Sequence, residues 1–441
     1  MTVLVGANNA GKTSVVEAFE FLQKYDSVPP LTESRRNRGT YGQVRLDYGF
    51  IGGSAVSLQT PAAGGETWSW IWSRSSHPDA PTMIPTWVVG PQRGAENWLV
   101  PRAVDKRQDF RRRHGSGIRE LGRRDFANRL RALHDEQRAF NDLMASVWGS
   151  APKWMLEPAD PNNQTSKIQF RAPGGSHGTE GVGSGLLSLF QILDAFFDAD
   201  QPELIVIDEP ELALHPAVQR RLLKFVAEQA KVHQVVLATH SPFFVDWKLL
   251  ANGGRLARLS VSPKSCSARN LSRKVIGRIA PLATNPERPH TFGADAKEVL
   301  FLDDGIILVE GQEDVWGYST ICDQLGVQLN GTFYGWGCDG AGNMQRVAEL
   351  LAELGFERVT GILDSDQAPA ASKLRSRFPQ YAFFVSPALD VRTKPAVTQR
   401  AEVKGALDKK RNVRRWYRRQ MRAMLDEVAA ALASNQRSGA E

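Results

Sequence analysis

A glycine-rich loop near the start of the chain constrains its fold more than any other feature. Residues 6–14 read GANNAGKTS and lie between a short apolar strand, TVLV, and a stretch with helical spacing, SVVEAFEFLQK. In such a strand–loop–helix unit, backbone N–H groups curl around phosphate oxygens, and the helix N-terminus adds partial positive charge. The pattern GxxxxGKT is typical of a phosphate-binding loop and predicts an α/β nucleotide-binding domain.

Two side chains of this loop have expected roles. Lys12 is expected to reach the β- and γ-phosphates of a nucleotide, and Thr13 to supply a hydroxyl to Mg²⁺. The other candidate nucleotide-binding residues of the loop are Gly6, Asn8, Asn9, Ala10, Gly11 and Ser14. The strand starts at Met1, whereas sites of this kind usually have one or two strands upstream. A misplaced start codon and a shortened chain are both open explanations.

Two later strands also end on polar side chains. Residues 203–216 read ELIVIDEPELALHP, and ELIVI lacks alternation, as expected of a central parallel strand buried on both faces. Asp208 at its end is predicted to hold Mg²⁺, and Glu209 to polarise the attacking water as a general base. Residues 234–242, QVVLATHSP, predict a neighbouring buried strand that ends at His240, whose imidazole is expected to contact the γ-phosphate.

A second glycine-rich stretch precedes an apolar helix. Residues 181–193 read GVGSGLLSLFQIL, which places Ser184 between glycines at a helix start. Such a start is expected to cradle a second anion, and in two-chain ATPases it can face the nucleotide of the opposite subunit. A flexible loop before a core helix is the alternative.

In this order, GANNAGKTS, GVGSGLL, LIVIDEPELALHP and LATHSP resemble the ABC-type ATPase heads of the family that includes SMC-like proteins, recombination ATPases and OLD (overcoming lysogenization defect) nucleases. The resemblance covers about residues 1–260. It implies ATP and Mg²⁺ as cofactors and a homodimer or higher homo-oligomer. A basic helical insertion is expected at 102–145, and Arg93 just before it is a candidate for the nucleotide or DNA side.

From about residue 299, carboxylates again follow apolar strands. GIILVEG ends its strand at Glu310, and FERVTGILDSDQ ends its strand at Asp364, with Asp366 two residues further on. Either these acids mark surface turns or they form a metal site. Because parallel strands end at one edge of a sheet, we expect Glu310 and both aspartates to converge, with Asp364 and Asp366 in extended chain on one side. Asp314, one helical turn past Glu310, is expected to face the same space.

Clustered carboxylates cannot all stay ionised without a counter-cation, and all-oxygen ligands favour Mg²⁺ or Mn²⁺. Such a cluster supports attack on a phosphodiester. LVEG, the turn GCDGAGN around Gly340 and Asn343, and LDSDQ resemble a TOPRIM domain, the fold shared by topoisomerases, primases and OLD-family nucleases. The order ATPase then TOPRIM resembles that of OLD-family and Gabija-type nucleases. The expected fold is therefore α/β: a P-loop ABC-type ATPase domain with a helical insertion, then a Rossmann-like TOPRIM domain with a parallel sheet.

Beyond the strand YAFFVSP, the resemblance makes Asp390 a candidate metal ligand of a third motif. It makes Lys394 or Lys404 the candidate lysine that stabilises a phosphate, with plain surface charge as the alternative for all three. The predicted domains are an ATPase domain at 1–260, its edge and a linker at 261–298, a TOPRIM domain at 299–405 and a C-terminal basic helix at 406–441. That helix either binds the DNA backbone or caps the domain.

Composition limits the classes of partner. The chain has 441 residues, a length that suits two or three domains, and a net charge of +7. Basic residues crowd 102–138 and 404–422, either as solvated helix faces or as contacts to a polyanion such as double-stranded DNA. No apolar stretch reaches the ~20 residues that span a bilayer, so no membrane partner is expected. The three cysteines form no CxxC, which favours a reducing, cytoplasmic compartment.

Together these patterns predict an ATP-regulated DNA endonuclease that requires Mg²⁺ or Mn²⁺. By resemblance, its setting would be prokaryotic defence against phage or plasmids, with a partner encoded nearby, or DNA repair. Three alternatives are open. The chain could be a non-nuclease SMC- or recombination-type ATPase clamp with a degenerate TOPRIM domain, a toxin or regulator in which ATP is only a switch, or a decayed relative that binds no nucleotide.

Overall fold

A computed structural model places the chain in two compact units. The first unit contains residues 1–12 and 239–441, and the second contains residues 13–238. The residues that the structure describes are 1–23, 31, 42–50, 55–63, 65–73, 86–91, 99–101, 130, 133–159, 165–172, 174–197, 199, 202–262, 265–285, 290–302, 305–394 and 402–433.

The strands in chain order are β1 (Thr2–Val5), β2 (Arg45–Gly49), β3 (Ala55–Gln59), β4 (Ser69–Ser73), β5 (Thr86–Val89), β6 (Leu99–Pro101), β7 (Trp154–Pro158), β8 (Thr165–Ala172), β9 (Gly175–His177), β10 (Leu204–Asp208), β11 (Gln234–Ala238), β12 (Arg255–Ser262), β13 (Ser265–Asn270), β14 (Ile306–Val309), β15 (Thr332–Phe333), β16 (Val359–Leu363) and β17 (Ala382–Val385). The helices are α1 (Lys12–Gln23), α2 (Gln137–Trp148), α3 (Ser184–Phe197), α4 (Pro216–Gln229), α5 (Trp247–Ala251), α6 (Arg273–Ala283), α7 (Ala294–Glu298), α8 (Gln312–Leu325), α9 (Ala341–Glu353), α10 (Ala368–Arg377) and α11 (Arg418–Ala433).

The first unit contains a parallel sheet in the order β15-β14-β16-β17. Every residue of β14 and β16 is buried, as expected of strands whose sequence lacks alternation. Ile306 and Leu308 of β14 join an apolar core with α9 and α10, whereas Ile307 and Val309 join a core with α8 and α11. Because alternate residues of a strand point to opposite faces, helices cover both faces of this sheet.

The strand that leads into the phosphate loop, β1, pairs with a strand from later in the same unit. β1 pairs in parallel with β12, and β12 pairs antiparallel with β13. Arg258 of β12 is buried, and its guanidinium lies 3.7 Å from the ring centre of Phe356 and donates hydrogen bonds to the carbonyls of Leu302 and Leu354. The stretch 261–298, expected as an edge and linker, contains β13, α6 and α7.

The second unit contains both parallel and antiparallel strand pairs. β10 lies between β5 and β11 and is parallel to both, while β2, β3 and β4 form an antiparallel sheet. β8 pairs antiparallel with β6, β7 and β9. Arg221 of α4 donates hydrogen bonds of 2.6 and 2.7 Å to the carbonyls of Val147 and Trp148, which satisfies the last turn of α2.

The expectation of an α/β chain with parallel sheets is confirmed in this coarse form. Arg93 and residues 102–129 of the predicted basic insertion lie outside the described residues. No helix in the described part of the chain is both long and apolar enough to cross a bilayer.

Candidate functional site

Two acids lie at adjacent strand ends of the parallel sheet in the first unit. Glu310 follows β14, and Asp364 follows its parallel neighbour β16, with Val309 opposite Ile362. The Oε1 atom of Glu310 accepts a hydrogen bond of 2.9 Å from the backbone N–H of Asp364. The structure therefore brings these two candidate metal ligands to one edge of the sheet.

Asp314 and Asp390 approach these acids from two other elements. Asp314, 8% exposed, lies in the first turn of α8 and accepts a hydrogen bond of 2.8 Å from the N–H that precedes the helix. Asp390, 5% exposed, follows β17; its Oδ1 atom accepts from the N–H of Arg392 at 3.0 Å, and its Oδ2 atom pairs with Lys394. The charges of Glu310 and Asp390 both act on Asp314, so these carboxylates are electrostatically coupled.

The backbone between Asp364 and Asp366 is not extended, contrary to the expectation from the sequence. Ser365–Gln367 form a 3-10 turn, so the expectation of an extended chain between Asp364 and Asp366 is wrong. The turn leads into α10, which begins at Ala368 and has Pro369 in its first turn. Proline is well tolerated there, because the backbone N–H groups of a first turn have no acceptor within the helix. Asp366 is exposed and Asp364 is half-buried.

Burial and mutual repulsion raise the pKa values of the inner carboxyl groups. Desolvation is the largest cause for each, followed for Asp364 by the charges of Asp314, Glu310, Asp390 and Asp366. The pKa of Asp364 is raised to about 8 and that of Asp314 to about 6, and the pKa of Glu310 is also raised. Without a cation, the Asp364 carboxyl therefore keeps its proton at neutral pH.

The glycine-rich turn 338–343 closes over the backbone of Glu310. The N–H of Gly340 donates a hydrogen bond of 2.8 Å to the carbonyl of Glu310. Gly340 has φ of 96°, a left-handed conformation that favours glycine, and it immediately precedes α9. Asn343 in the first turn of α9 is 9% exposed and donates from Nδ2 to the carbonyl of Asp339 at 3.1 Å. The backbone N–H of Ala341, the first residue of α9, also donates to the Glu310 carboxylate, which lies at the N-terminal end of the helix, where partial positive charge favours it.

The donor set of this cluster suits a hydrated Mg²⁺ better than a fully enclosed metal. Among the described residues, which include all five carboxylates, no three or more Asp, Glu, His or Cys side chains lie close enough to hold a metal ion alone. Mg²⁺ is commonly bound through one or two carboxylates, several waters and substrate phosphates. Glu310 and Asp364 at one sheet edge are residues that could hold it in this way.

The two candidate lysines lie on paired segments. Lys394 contacts Asp390 at the cluster, whereas Lys404 is exposed. Lys394 and Val403 exchange two backbone hydrogen bonds of 3.0 Å, which brings the segments that carry both lysines side by side. The hydrogen bond to Asp390 is the largest cause of the raised pKa of Lys394, so its ammonium stays charged at neutral pH.

The phosphate loop lies in the first unit up to Lys12. Gly6 has φ of 146°, and a Cβ atom there would lie 2.4 Å from the carbonyl oxygen of Leu259, so this position requires glycine. Lys12 is buried, and its Nζ atom donates hydrogen bonds of 2.9 Å to the carbonyls of Gly6 and Ala7. The Lys12 ammonium thus lies against the backbone of the loop itself. The exposed residues of the stretch are Asn8, Asn9, Thr13 and Ser14.

Neighbouring parts of the loop are also fixed within the first unit. The Cys266 Sγ atom donates to the carbonyl of Ala10 at 3.0 Å, and a Cβ atom on Gly11 would lie 3.1 Å from the same sulfur. His240 is half-buried and follows Thr239, whose N–H donates to the carbonyl of Leu4 in β1 at 3.1 Å.

The acids of the second unit follow its central strand. Asp208 ends β10 and is 1% exposed, paired in register with Ala238 of β11. Glu209 has φ of 48°, an uncommon backbone conformation for a residue other than glycine, and its N–H donates to the carbonyl of Ala238 at 2.7 Å. Strained backbone of this kind persists where surrounding structure holds it, often at functional sites.

The Gly-Ser-Gly stretch lies in the second unit at the start of α3. Ser184 is the first residue of the helix and is exposed. A Cβ atom on Gly185 would lie 2.3 Å from the carbonyl oxygen of Ala213, so glycine allows this helix start to pack directly on the loop after β10. The close contact holds Ser184 in a defined position relative to the loop that begins with Glu209.

Part of the chain matches a known protein family. Residues 178–246 match the family model described as "AAA domain, putative AbiEii toxin, Type IV TA system". The match includes Ser184, Asp208, Glu209 and His240. A curated protein from Thermus scotoductus (strain ATCC 700910 / SA-01), named OLD nuclease, is 32% identical over 95 residues. That match covers 20% of this chain and spans only 18% of the relative's length.

Solved structures of SMC heads are also similar. An SMC head bound to the C-winged helix domain of ScpA has a TM-score of 0.42 and 15% identity, and the match covers 63% of this chain and 92% of that one. The SMC head domain from Thermotoga maritima has a TM-score of 0.33 and 15% identity, with 62% and 90% covered. Scores of this size do not establish a shared fold.

Proposed function

We propose that this chain is an ATP-binding and ATP-hydrolysing DNA endonuclease that requires a divalent metal, Mg²⁺ or Mn²⁺. The observation that carries the proposal is the hydrogen bond from the Asp364 N–H to the Glu310 carboxylate. It joins the acids at two adjacent parallel strand ends. Such an edge is where open α/β sheets bind their ligands. The partial match to an OLD nuclease supports the same class.

In the proposed nuclease site, Glu310 and Asp364 hold the metal, with Asp314, Asp366 and Asp390 as the other candidate ligands. When bound, the ion would polarise the scissile phosphate and lower the pKa of an attacking water. The raised pKa values of Asp314 and Asp364 support this role, because a cation is the natural means of ionising them together.

A lysine beside the acids would stabilise charge on the phosphate. Lys394 and Lys404 are the two candidates, and the contact between Lys394 and Asp390 favours Lys394. Lys404 is retained as a second candidate because its segment is paired with that of Lys394.

For the ATPase we propose roles that the AAA-domain match supports within residues 178–246. Asp208 holds the Mg²⁺ of ATP, Glu209 is the general base, and His240 contacts the γ-phosphate. Ser184 contacts nucleotide across a homodimer. In the phosphate loop, Lys12 binds the β- and γ-phosphates and Thr13 binds Mg²⁺, while the other loop residues supply backbone N–H groups.

The proposed organisation is that of the sequence-based prediction. It has an ATPase domain at 1–260, a connecting segment at 261–298, a TOPRIM domain at 299–405 and a basic terminal helix at 406–441. The proposed partners are double-stranded DNA and a second copy of the chain. The proposed biological setting is either defence against phage or plasmids, with a partner protein encoded nearby, or DNA repair. The proposed location is the cytoplasm.

An ATPase clamp without nuclease activity is the second candidate. The absence of a complete ligand set among the described carboxylates favours it. In that case the acids would play no chemical role, and their substitution would leave every activity unchanged.

The test is a nicking assay on supercoiled plasmid with Mg²⁺ or Mn²⁺, with and without ATP. Wild type is expected to nick, and EDTA to abolish nicking. Asp364→Ala is expected to abolish nicking while its ATP hydrolysis in Mg²⁺ persists. Asp426→Ala, which removes an exposed carboxylate of α11, is the matched control and should nick like wild type. ATP hydrolysis without nicking under any condition would instead support the clamp.

A further inference from the structure

An open cleft of about 500 Å³ lies in the first unit. Its lining residues are His290, Gly293, Ala294, Asp295, Gln312 and Trp336. Gln312 is the first residue of α8, two positions after Glu310 and two before Asp314. The first turn of α8 therefore contributes both a lining residue of the cleft and a candidate metal ligand, and the cleft volume is within the range of small-ligand pockets.

Trp336 is held in this cleft by unusually tight backbone packing. Gly335 has φ of 45° and Gly337 has φ of 90°. A Cβ atom on Gly337 would lie 2.7 Å from the carbonyl group of Gly311, so the loop lies directly on the residue that follows Glu310. The two glycines thus fix the loop that carries the tryptophan against the acid-bearing edge.

The indole of Trp336 is oriented but not covered. Its Nε1–H donates to the carboxylate of Asp295, which fixes one edge of the ring, and the side chain is 47% exposed. The open face of the indole offers a flat surface on which a planar ring can stack. Gln312 and His290 add hydrogen-bonding groups at the rim.

We propose that this cleft takes an unpaired nucleobase, which stacks on Trp336 while the adjoining phosphate lies at the acid cluster. The inference deepens the proposed function and rests on it: the preferred substrate would be DNA with a single-stranded or extruded nucleotide beside the cut. An uncharged flat base is compatible with nearby carboxylates, whereas a second phosphate is not. Base–aromatic stacking depends on the π-face and tolerates any base, so the cleft confers structure preference rather than sequence preference.

The first test measures binding without cutting. Full-length chain in EDTA is titrated into a fluorescent single strand of about 12 nucleotides and into the matching blunt duplex. Trp336→Ala is expected to weaken single-strand binding by about 5- to 100-fold and duplex binding by less than about twofold. Trp336→Phe, which keeps an aromatic face, should stay within about fivefold of wild type. Unchanged thermal unfolding of both variants excludes misfolding.

The second test locates the base. An abasic site is moved along the strand one position at a time. Wild type is expected to lose affinity strongly at one position, and Trp336→Ala to be insensitive there. Competition by free deoxyadenosine monophosphate separates the two sources of a nucleobase. The mononucleotide is expected to displace the strand only at concentrations far above the Kd of the strand; displacement at or below that concentration would assign the cleft to free nucleotide and overturn a substrate role.

Two further results would overturn the base pocket: equal loss of single-strand and duplex binding in Trp336→Ala, or no loss at all. These outcomes are separable from failure of the nuclease proposal because the binding assay contains no metal. If the protein nicks plasmid but its binding to single strands does not depend on Trp336, only the base-pocket proposal is disproved. If binding depends on Trp336 but no nicking occurs, only the nuclease proposal is disproved.

Discussion

Lys394 pairs with the buried carboxylate of Asp390, which also accepts the backbone N–H of Arg392. One acid of the cluster thus has a cationic side chain beside it. Burial raises the pKa of Asp314, and the charge of Lys394 offsets a small part of that rise. The pair places a fixed positive charge where a phosphate could approach.

Removal of this charge should impair cutting. Lys394→Ala is expected to slow plasmid nicking by about tenfold or more, because a charge-assisted hydrogen bond contributes ~1.5–3 kcal/mol. Lys404→Ala is expected to have a smaller effect, since Lys404 is exposed. Initial nicking rates of both variants at equal metal concentration give the comparison. A larger loss in Lys404→Ala would assign the phosphate contact to Lys404 instead.

The cluster should make metal-free stability depend on pH. Asp364 has a pKa of about 8 in the folded chain and about 4 when unfolded. Between these values the folded state holds a proton that the unfolded state has lost, so the free energy of unfolding falls as pH rises from about 4 to about 8. In EDTA, the melting temperature should therefore drop more across this range in wild type than in Asp364→Asn.

Added Mg²⁺ should reverse that trend, because metal ligands must be deprotonated and binding releases protons. The rise in melting temperature caused by Mg²⁺ should be larger at pH 8 than at pH 6, and it should be strongly reduced in Asp364→Asn. Equal stabilisation of wild type and variant at both pH values would place the metal elsewhere. The same concentration of Na⁺ provides the ionic-strength control.

Nucleotide binding should depend on Lys12. Its Nζ atom donates to two loop carbonyls, and a bound phosphate is expected to replace these contacts. Lys12→Ala should lower ATP affinity by about tenfold or more, measured by calorimetry.

Glu209→Gln should keep ATP affinity but slow ATP hydrolysis by roughly 10²–10⁴-fold, because the variant lacks the proposed general base. Undiminished hydrolysis in Glu209→Gln would rule out that role.

A stability prediction concerns the start of α6. The Ser272 hydroxyl accepts from the N–H of Val275 at 3.3 Å and donates to Glu353 of α9 at 2.7 Å. Ser272→Ala should therefore lower the free energy of unfolding by about 1–3 kcal/mol, measured by urea denaturation. Ser319→Ala is the control: that hydroxyl bonds an exposed carbonyl within its own helix, and the change should be within about 0.5 kcal/mol.

Local pattern was sufficient to predict the strands that precede Glu310, Asp364 and Asp208. Their apolar runs lack alternation because both faces are buried, and β14, β16 and β10 are found there. The turn at Ser365–Gln367 was mispredicted as extended, although Pro369 just beyond it is a helix-start signal. The chemical roles of these acids and of the nucleotide loop stay predictions.

Other features depend on contacts that no local pattern contains. Asp295 and Trp336 are 41 residues apart, and only the packing of Gly335 and Gly337 brings the tryptophan to the acid cluster. The GWG sequence is a signal of a tight turn, but it does not indicate which surface the turn contacts. The choice between Lys394 and Lys404 likewise depends on the pairing of two distant segments.

The buried Arg258 has a consequence for dividing the chain into fragments. Its guanidinium joins β12 to carbonyls at Leu302 and Leu354, and Val3 of β1 belongs to the same apolar cluster as Leu351 of α9. A fragment that starts at residue 299 would expose that apolar surface to water and lose the cation that those carbonyls bind. We therefore expect such a fragment to aggregate on expression.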